Sequence, residues 1–217
     1  MLASAIRDRL RRQVGNPTTA QVTDLLMLEF VNTAYRQICN RYRFRQLRAR
    51  TTTPTVAGTR AYNLPAGASS VIYIRDTTNQ VKLEKLGENS AAFLTDVDVD
   101  GKPTKYILYA TTYELHPTPD GVYSFEVYYK KGTTDLAAGD TPVIPESWHP
   151  GIVTLARYHY WDDQGDDTKA ILALNLFNAW VKEQPVEYDE EKTDYDSGVS
   201  VPTLEPSSTR QDFDHSD

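Results

Sequence analysis

The chain has 217 residues, with 23 Lys and Arg against 30 Asp and Glu, for a formal charge of −7. Hydrophobic residues make up 40% of it, enough for a core and too many for wholesale disorder. The single cysteine, Cys39, excludes an internal disulfide framework and a thiolate zinc cage, and no apolar run approaches the roughly 20 residues of a membrane span. The apolar stretch at the N-terminus is too short for a secretory signal, so a soluble protein of the cytosol is expected.

Leu2 to about Val14 reads as a first helix, with Ile6, Leu10 and Val14 four apart. Gly15-Asn16-Pro17 ends it, because Pro17 disfavours helix at Asn16 and has no N–H to donate. A second helix is predicted from Thr23 or Asp24, both good caps, to about Tyr42. Leu28, Val31, Tyr35, Ile38 and Tyr42 form its stripe, while Glu29, Arg36, Asn40 and Arg41 lie on the outer face. From Leu47 the period changes to two. Strands are expected at Thr51–Val56 and Thr59–Leu64, at Val71–Ile74, at Tyr106–Tyr109, and through Tyr113 and Leu115. Tyr123, Phe125, Val127 and Tyr129 alternate with Ser124, Glu126 and Tyr128, the pattern of a strand with one wet face. Ala57-Gly58 and Pro117-Thr118-Pro119-Asp120-Gly121 are turns, since Pro presets φ and Gly accepts positive φ. A short helix is expected around Glu88–Thr95.

Helical period returns after Pro142 and Pro145. Ser147 is the expected cap of a helix carrying Pro150 in its first turn and Trp148, Ile152, Leu155 and His159 on one stripe. Residues 162–167 read as a loop, and Thr168 as the cap of a last helix through Val181, with Ala170, Ala173, Phe177 and Trp180 inward. Beyond Pro185 the composition is too polar to fold alone. The order predicts an α+β fold: a four-helix bundle from N- and C-terminal segments, an inserted antiparallel β-sandwich or barrel-like module, and an extended C-terminal tail. The boundaries are 1–46 and 143–184 for the helical domain, 47–142 for the β-module and 185–217 for the acidic tail.

Charge is polarised along the chain. Residues 1–50 hold ten Arg and three acids, whereas residues 184–217 hold ten acids, one Lys and one Arg. Unlike ends suggest contact within or between protomers. Ten Arg could instead neutralise phosphates, but the overall acidity opposes tight binding to a nucleic-acid backbone.

Chemistry is sparse. There is no GxGxxG, Walker loop, GxSxG, HExxH or CxxC. His149 and His159 are ten residues apart on one helix, about 15 Å, too far to share a metal even with His116, Asp162 and Asp163 imagined nearby. Asp162, Asp163, Asp166 and Asp167 lack the alternating spacing and terminal Glu of an EF-hand loop. Among 14 tyrosines, those of the β-module could form a sugar- or base-stacking face, although Tyr also suits half-buried sheets and interfaces. No catalytic residue, cofactor or metal is assigned, and the protein is read as a non-enzyme.

The order of several elements resembles the head-to-tail adaptor proteins of tailed bacteriophages. Leu28–Ile38 is similar to that family's helix around an N-x-A-Y element, here Asn32 to Tyr35. Thr51-Thr52-Thr53 with Gly58, Tyr62, Leu64 and Pro65 resembles its T-x-x-G-x-x-x-Y-x-L-P strand pair. Gly101-Lys102-Pro103-Thr104-Lys105-Tyr106 and Pro117-Thr118-Pro119-Asp120 resemble its turns, and Tyr128-Tyr129-Lys130-Lys131, Leu136 and Pro145–His149 complete the series. The resemblance covers roughly residues 20–160. It implies a homo-oligomeric ring, usually of twelve copies, in the virion neck. The portal protein lies above it, and a stopper, nozzle or tail protein below. Genomic DNA passes through without sequence-specific binding, and no membrane is involved. Assembly would take place in the host cytoplasm, with helices holding the ring and the β-module facing the tail and neighbouring subunits. A stopper or tail-terminator ring, or a carbohydrate- or receptor-binding tail module, are the alternatives. The unlike charges single out Arg41, Arg43, Arg45, Arg48 and Arg50, with Glu187, Asp189, Glu190, Glu191, Asp194 and Asp196, as a subunit or portal interface.

Overall fold

The computed structural model describes residues 1–87 and 99–184. The expected helix at Glu88–Thr95 and the acidic tail lie outside the described residues. Among the described residues the fold is α+β, with four α-helices and two β-sheets, and they divide into two compact units: residues 1–46 with 133–184, and residues within 47–132.

The first unit contains α1 (Ala3–Gln13), α2 (Asp24–Arg41), α3 (His149–Asp163) and α4 (Asp167–Glu183). Helix α3 is central, packing against α1, α2 and α4. Thr23 caps α2, its side chain accepting from the Leu26 N–H at 3.2 Å. The buried stripe of α2 is wider than the sequence period suggested, taking in Met27, Phe30, Val31, Ala34, Tyr35, Ile38 and Cys39. Two caps differ from expectation. Asp166, not Thr168, caps α4, accepting from the Lys169 N–H at 3.1 Å, because a carboxylate both bonds that N–H and meets the positive helix end. Ser147 caps nothing; it lies within a 3₁₀ turn, Glu146–Trp148, that runs directly into α3. Gly151 of α3 admits Trp180 of α4, since a Cβ there would stand 2.3 Å from the indole ring.

Helix α1 has no side-chain cap. Its first N–H groups donate instead to the Asp140 and Ala138 carbonyls, at 2.7 and 3.0 Å from Ala3 and Ser4. The segment supplying them, residues 133–144, is fixed by α2. Asn32 Nδ2 donates to the Leu136 carbonyl at 3.2 Å, and the Leu136 N–H donates back to Asn32 Oδ1 at 2.9 Å. Tyr35 accepts from the Val143 N–H at 3.3 Å, and Arg36 pairs with Asp135. Asn32 and Tyr35 of the N-x-A-Y element are therefore the residues that hold the returning chain.

The second unit contains β1 (Arg48–Pro54), β2 (Ala61–Asn63), β3 (Ala68–Asp76), β4 (Glu84–Leu86), β5 (Lys105–Leu108), β6 (Thr112–His116) and β7 (Ser124–Lys131). One sheet has the order β1-β7-β3, the other β2-β6-β5-β4. Strands β4 and β5 are parallel, so the module is not wholly antiparallel as the sequence reading expected. Three-residue β4 pairs by position after a long excursion rather than through a hairpin, and short connections alone enforce antiparallel order. The turns at Ala57-Gly58 and Pro117–Gly121 each lead from one sheet to the other. Both sheets contribute to one core of Ile74, Leu83, Tyr106, Tyr113, Leu115, Phe125 and Val127. Chain entry and exit are neighbours, because Arg48 of β1 pairs with Lys130 of β7.

Replacing Asn32 by Ala strands a buried peptide N–H and C=O and is expected to cost about 2–4 kcal/mol, read by chemical denaturation. His159 gives a pH signature. Its Nε2 lies 3.0 Å from Gln37 Oε1, and burial lowers its pKa to about 4. Between about pH 6.5 and 4 the unfolded chain takes up a proton that the folded one refuses, so this stability, at most about 3 kcal/mol, is present at neutral pH and is lost on acidification. His159→Gln is expected to flatten stability against pH across that window.

Candidate functional site

The chain leaves α2 through Tyr42, an extended C-cap, and alternates strictly for five residues: Arg41, Arg43 and Arg45 are exposed, Tyr42 and Phe44 buried. Trp148 explains the alternation. Its ring lies 5.0 Å from Tyr42 and 4.9 Å from Phe44, edge-on to the latter, and 5.5 Å from Trp180, again edge-on. Tyr42 and Phe44, both packed on Trp148, leave Arg43 between them facing outward, flanked by exposed Arg41 at the negative end of α2 and exposed Arg45 at the start of a 3₁₀ turn, Arg45–Leu47.

Other arginines of the basic head are used internally. Arg7 and Arg11 both meet Asp24, at 3.1 and 2.9 Å, and Arg11 also donates to the Pro17 and Val22 carbonyls at 2.6 and 2.8 Å. These bonds fix the α1–α2 connection. Part of the charge polarity is thus a folding device rather than a surface for partners.

Arg48 and Arg50 lie on β1, on the face of its sheet turned away from the core. Arg50 Nη1 is 3.1 Å from Glu126 Oε1, and Arg75 Nη2 is 2.6 Å from Glu126 Oε2. The Tyr128 hydroxyl donates to the same carboxylate at 2.8 Å, and with Arg75 and Arg50 it holds Glu126 below the usual carboxylate range. Tyr128 stacks on Tyr73 at 4.3 Å, and Lys82 Nζ lies 4.4 Å over the Tyr73 ring. This polar and aromatic network was missed from the sequence, where Glu126 reads as an ordinary wet-face residue. The proposed acidic partners Glu187, Asp189, Glu190, Glu191, Asp194 and Asp196 lie outside the described residues.

The remaining candidates serve structure. His149 is buried, with Nε2 3.2 Å from the Ile144 carbonyl, and His159 faces Gln37. Among the described residues, no three His, Cys, Asp or Glu side chains gather as metal ligands, and no helix is long and apolar enough to cross a membrane. Of the tyrosines that might have formed a stacking face, Tyr106 and Tyr113 are core residues, and Tyr123 donates to Asp120 at 2.6 Å.

Residues 1–201 match the family model described as SU10 adaptor protein. The chain belongs to the SU10 adaptor protein family. The match spans both units and bears out the resemblance to bacteriophage head-to-tail adaptors. No curated protein matches the chain. For a member of this adaptor family, Asn32 and Tyr35 now have a physical role as the clamp on residues 136–143, and the exposed arginines are the candidates for partner contact.

Support and surface can be separated experimentally. Trp148→Ala, which removes the ring shared by Tyr42 and Phe44, is expected to cost about 3–5 kcal/mol. Arg43→Glu with Arg45→Glu is expected to change stability by only about 0.5 kcal/mol per site, measured by thermal and denaturant unfolding.

Proposed function

We propose that the chain is a structural head-to-tail adaptor of the virion neck: a homo-oligomeric ring, of twelve copies, that docks below the portal protein, joins capsid to tail and continues the channel for genomic DNA. The observation that carries this reading is the adaptor-family match over residues 1–201. In this reading the helical unit acts as a four-helix bundle assembled from both chain ends, and the sheet unit as a sandwich-like module directed at a stopper, nozzle or tail protein. The division of domains follows the same lines, with residues 185–217 as a separate acidic arm.

The surface supports the reading. A heterologous ring needs two different patches that meet between neighbours. Arg41, Arg43 and Arg45, projecting from an aromatic-anchored segment, supply a basic one. Acids of a neighbouring copy or of the portal supply the counterpart, while the tail acids Glu187, Asp189, Glu190, Glu191, Asp194 and Asp196 pair with Arg48 and Arg50. Charge pairing of this kind fixes register and speeds encounter more than it adds affinity. A net charge of −7 suits a channel that DNA must traverse without adhering.

Native mass measurement of the protein assembled with its portal tests this directly, and a closed ring is the expected species. Arg41→Glu, Arg43→Glu and Arg45→Glu together are expected to reduce ring recovery at least about tenfold, equivalent to 1.4 kcal/mol or more, with the melting temperature of the free chain little changed. Recovery of the chain as a monomer beside intact portal would overturn the ring, and full ring recovery from the triple variant would remove these arginines from it.

A further inference from the structure

The outer face of the β1-β7-β3 sheet is basic in a chain that is acidic as a whole. Register places Arg48 and Arg50 of β1, Lys130 of β7 and Arg75 of β3 on the side opposite the core residues Phe125 and Val127. Lys82 joins them through its bridge to Arg75 and its position over Tyr73. Among the described residues this face therefore gathers five cations around one carboxylate, Glu126, with the stacked Tyr73 and Tyr128 rings at its centre. Glu126 is itself only 8% exposed, covered by the groups it binds.

The sequence contains a matching chemistry. Beyond Gln184 the pattern acid–aromatic–acid occurs three times: Glu187-Tyr188-Asp189, Asp194-Tyr195-Asp196 and Asp212-Phe213-Asp214. We propose that these triplets of residues 185–217 dock on the basic, tyrosine-centred outer face of the β1-β7-β3 sheet, in the same or an adjacent copy.

Two arguments favour this occupant. The two carboxylates of an extended triplet are two residues apart, as Arg48 and Arg50 are on β1, so both pairs share the roughly 7 Å repeat of a strand. Reach is no obstacle, since 33 residues extend to about 110 Å. A nucleic-acid backbone is the other anion to consider. Glu126 at the centre of the face and the acidity of the whole chain weigh against it.

The inference sharpens the pairing of basic and acidic segments proposed above but does not require the ring. Native mass reports the ring, and cross-links report the face, so each can fail without the other. Zero-length carbodiimide coupling of the full chain, read by peptide mass spectrometry, joins lysine amines only to carboxylates in contact. Lys82 and Lys130 are expected to couple preferentially to acids within 187–214. Yield should fall several-fold in about 1 M salt, where charges are screened beyond about 3 Å. It should fall likewise when the triplet acids become amides. Coupling of those acids to Lys105, Lys169 or Lys182 as readily as to Lys82 and Lys130 would overturn the proposal. So would absence of links together with duplex DNA binding that Arg48→Glu and Lys130→Glu abolish.

Discussion

The side chain of Asn32 and the peptide of Leu136 form the contact on which the helical unit depends. A carboxamide offers one acceptor and two donors, so a single Asn can satisfy both polar groups of a passing peptide, as a neighbouring strand would. Residues 133–144 have no regular structure of their own, yet their carbonyls cap α1 and their path leads into Trp148. Without the clamp, α1 would lose the acceptors for its first N–H groups, and α3 would lose its lead-in. The span it closes is 104 residues, and loop closure over such a distance costs on the order of 4 kcal/mol, more than one pair of hydrogen bonds returns. The sheet unit removes most of that cost. Pairing of Arg48 with Lys130 already places its entry and exit side by side, so the clamp completes a short closure rather than a long one.

The same economy governs the charges. Arginine residues of the head fall into two groups that the sequence does not distinguish. Arg7 and Arg11 converge on Asp24 and on backbone carbonyls, where partial burial strengthens each bond. Arg43 and Arg45 are turned outward by the rings on either side of them. The outward direction of these arginines is therefore produced by packing inside the unit, through Trp148, rather than by local charge density. This gives surface charge a fixed direction, which matters for register in any assembly built from repeated copies.

What the sequence disclosed and what it withheld divide along physical lines. Helix α2 was legible because 18 residues repeat one stripe, and β7 because eight residues alternate without a break. Alternation identifies a strand but carries nothing about its partner, so the allotment of β1 and β2 to different sheets, and the parallel pairing of β4, could not be read. Residues 133–142, without a period of their own, were read as part of the β-module; Asn32, a polar residue within an apolar stripe, marks where Leu136 docks on α2. At the surface, Arg43 and Arg45 were visible as charge, but their orientation depended on Trp148, distant in sequence. Glu126 was hidden most completely. Its position on the wet side of β7 was correct, and its burial came from Arg50 and Arg75 on two other strands.

Glu126 also shows how a basic face can be made rigid before anything binds it. Five cations on one sheet face would repel one another and leave long side chains free to move, and ordering such a side chain on binding costs about 0.5–1.5 kcal/mol. A single carboxylate at the centre ties down Arg50 and Arg75, and the Tyr128 hydroxyl that shares it is held in turn by the ring of Tyr73. The face gives up one positive charge and gains a fixed geometry. In a ring of identical copies such as the one proposed, fixed geometry is worth more than one additional charge, because solvent and salt screen exposed charge while packed rings keep their positions.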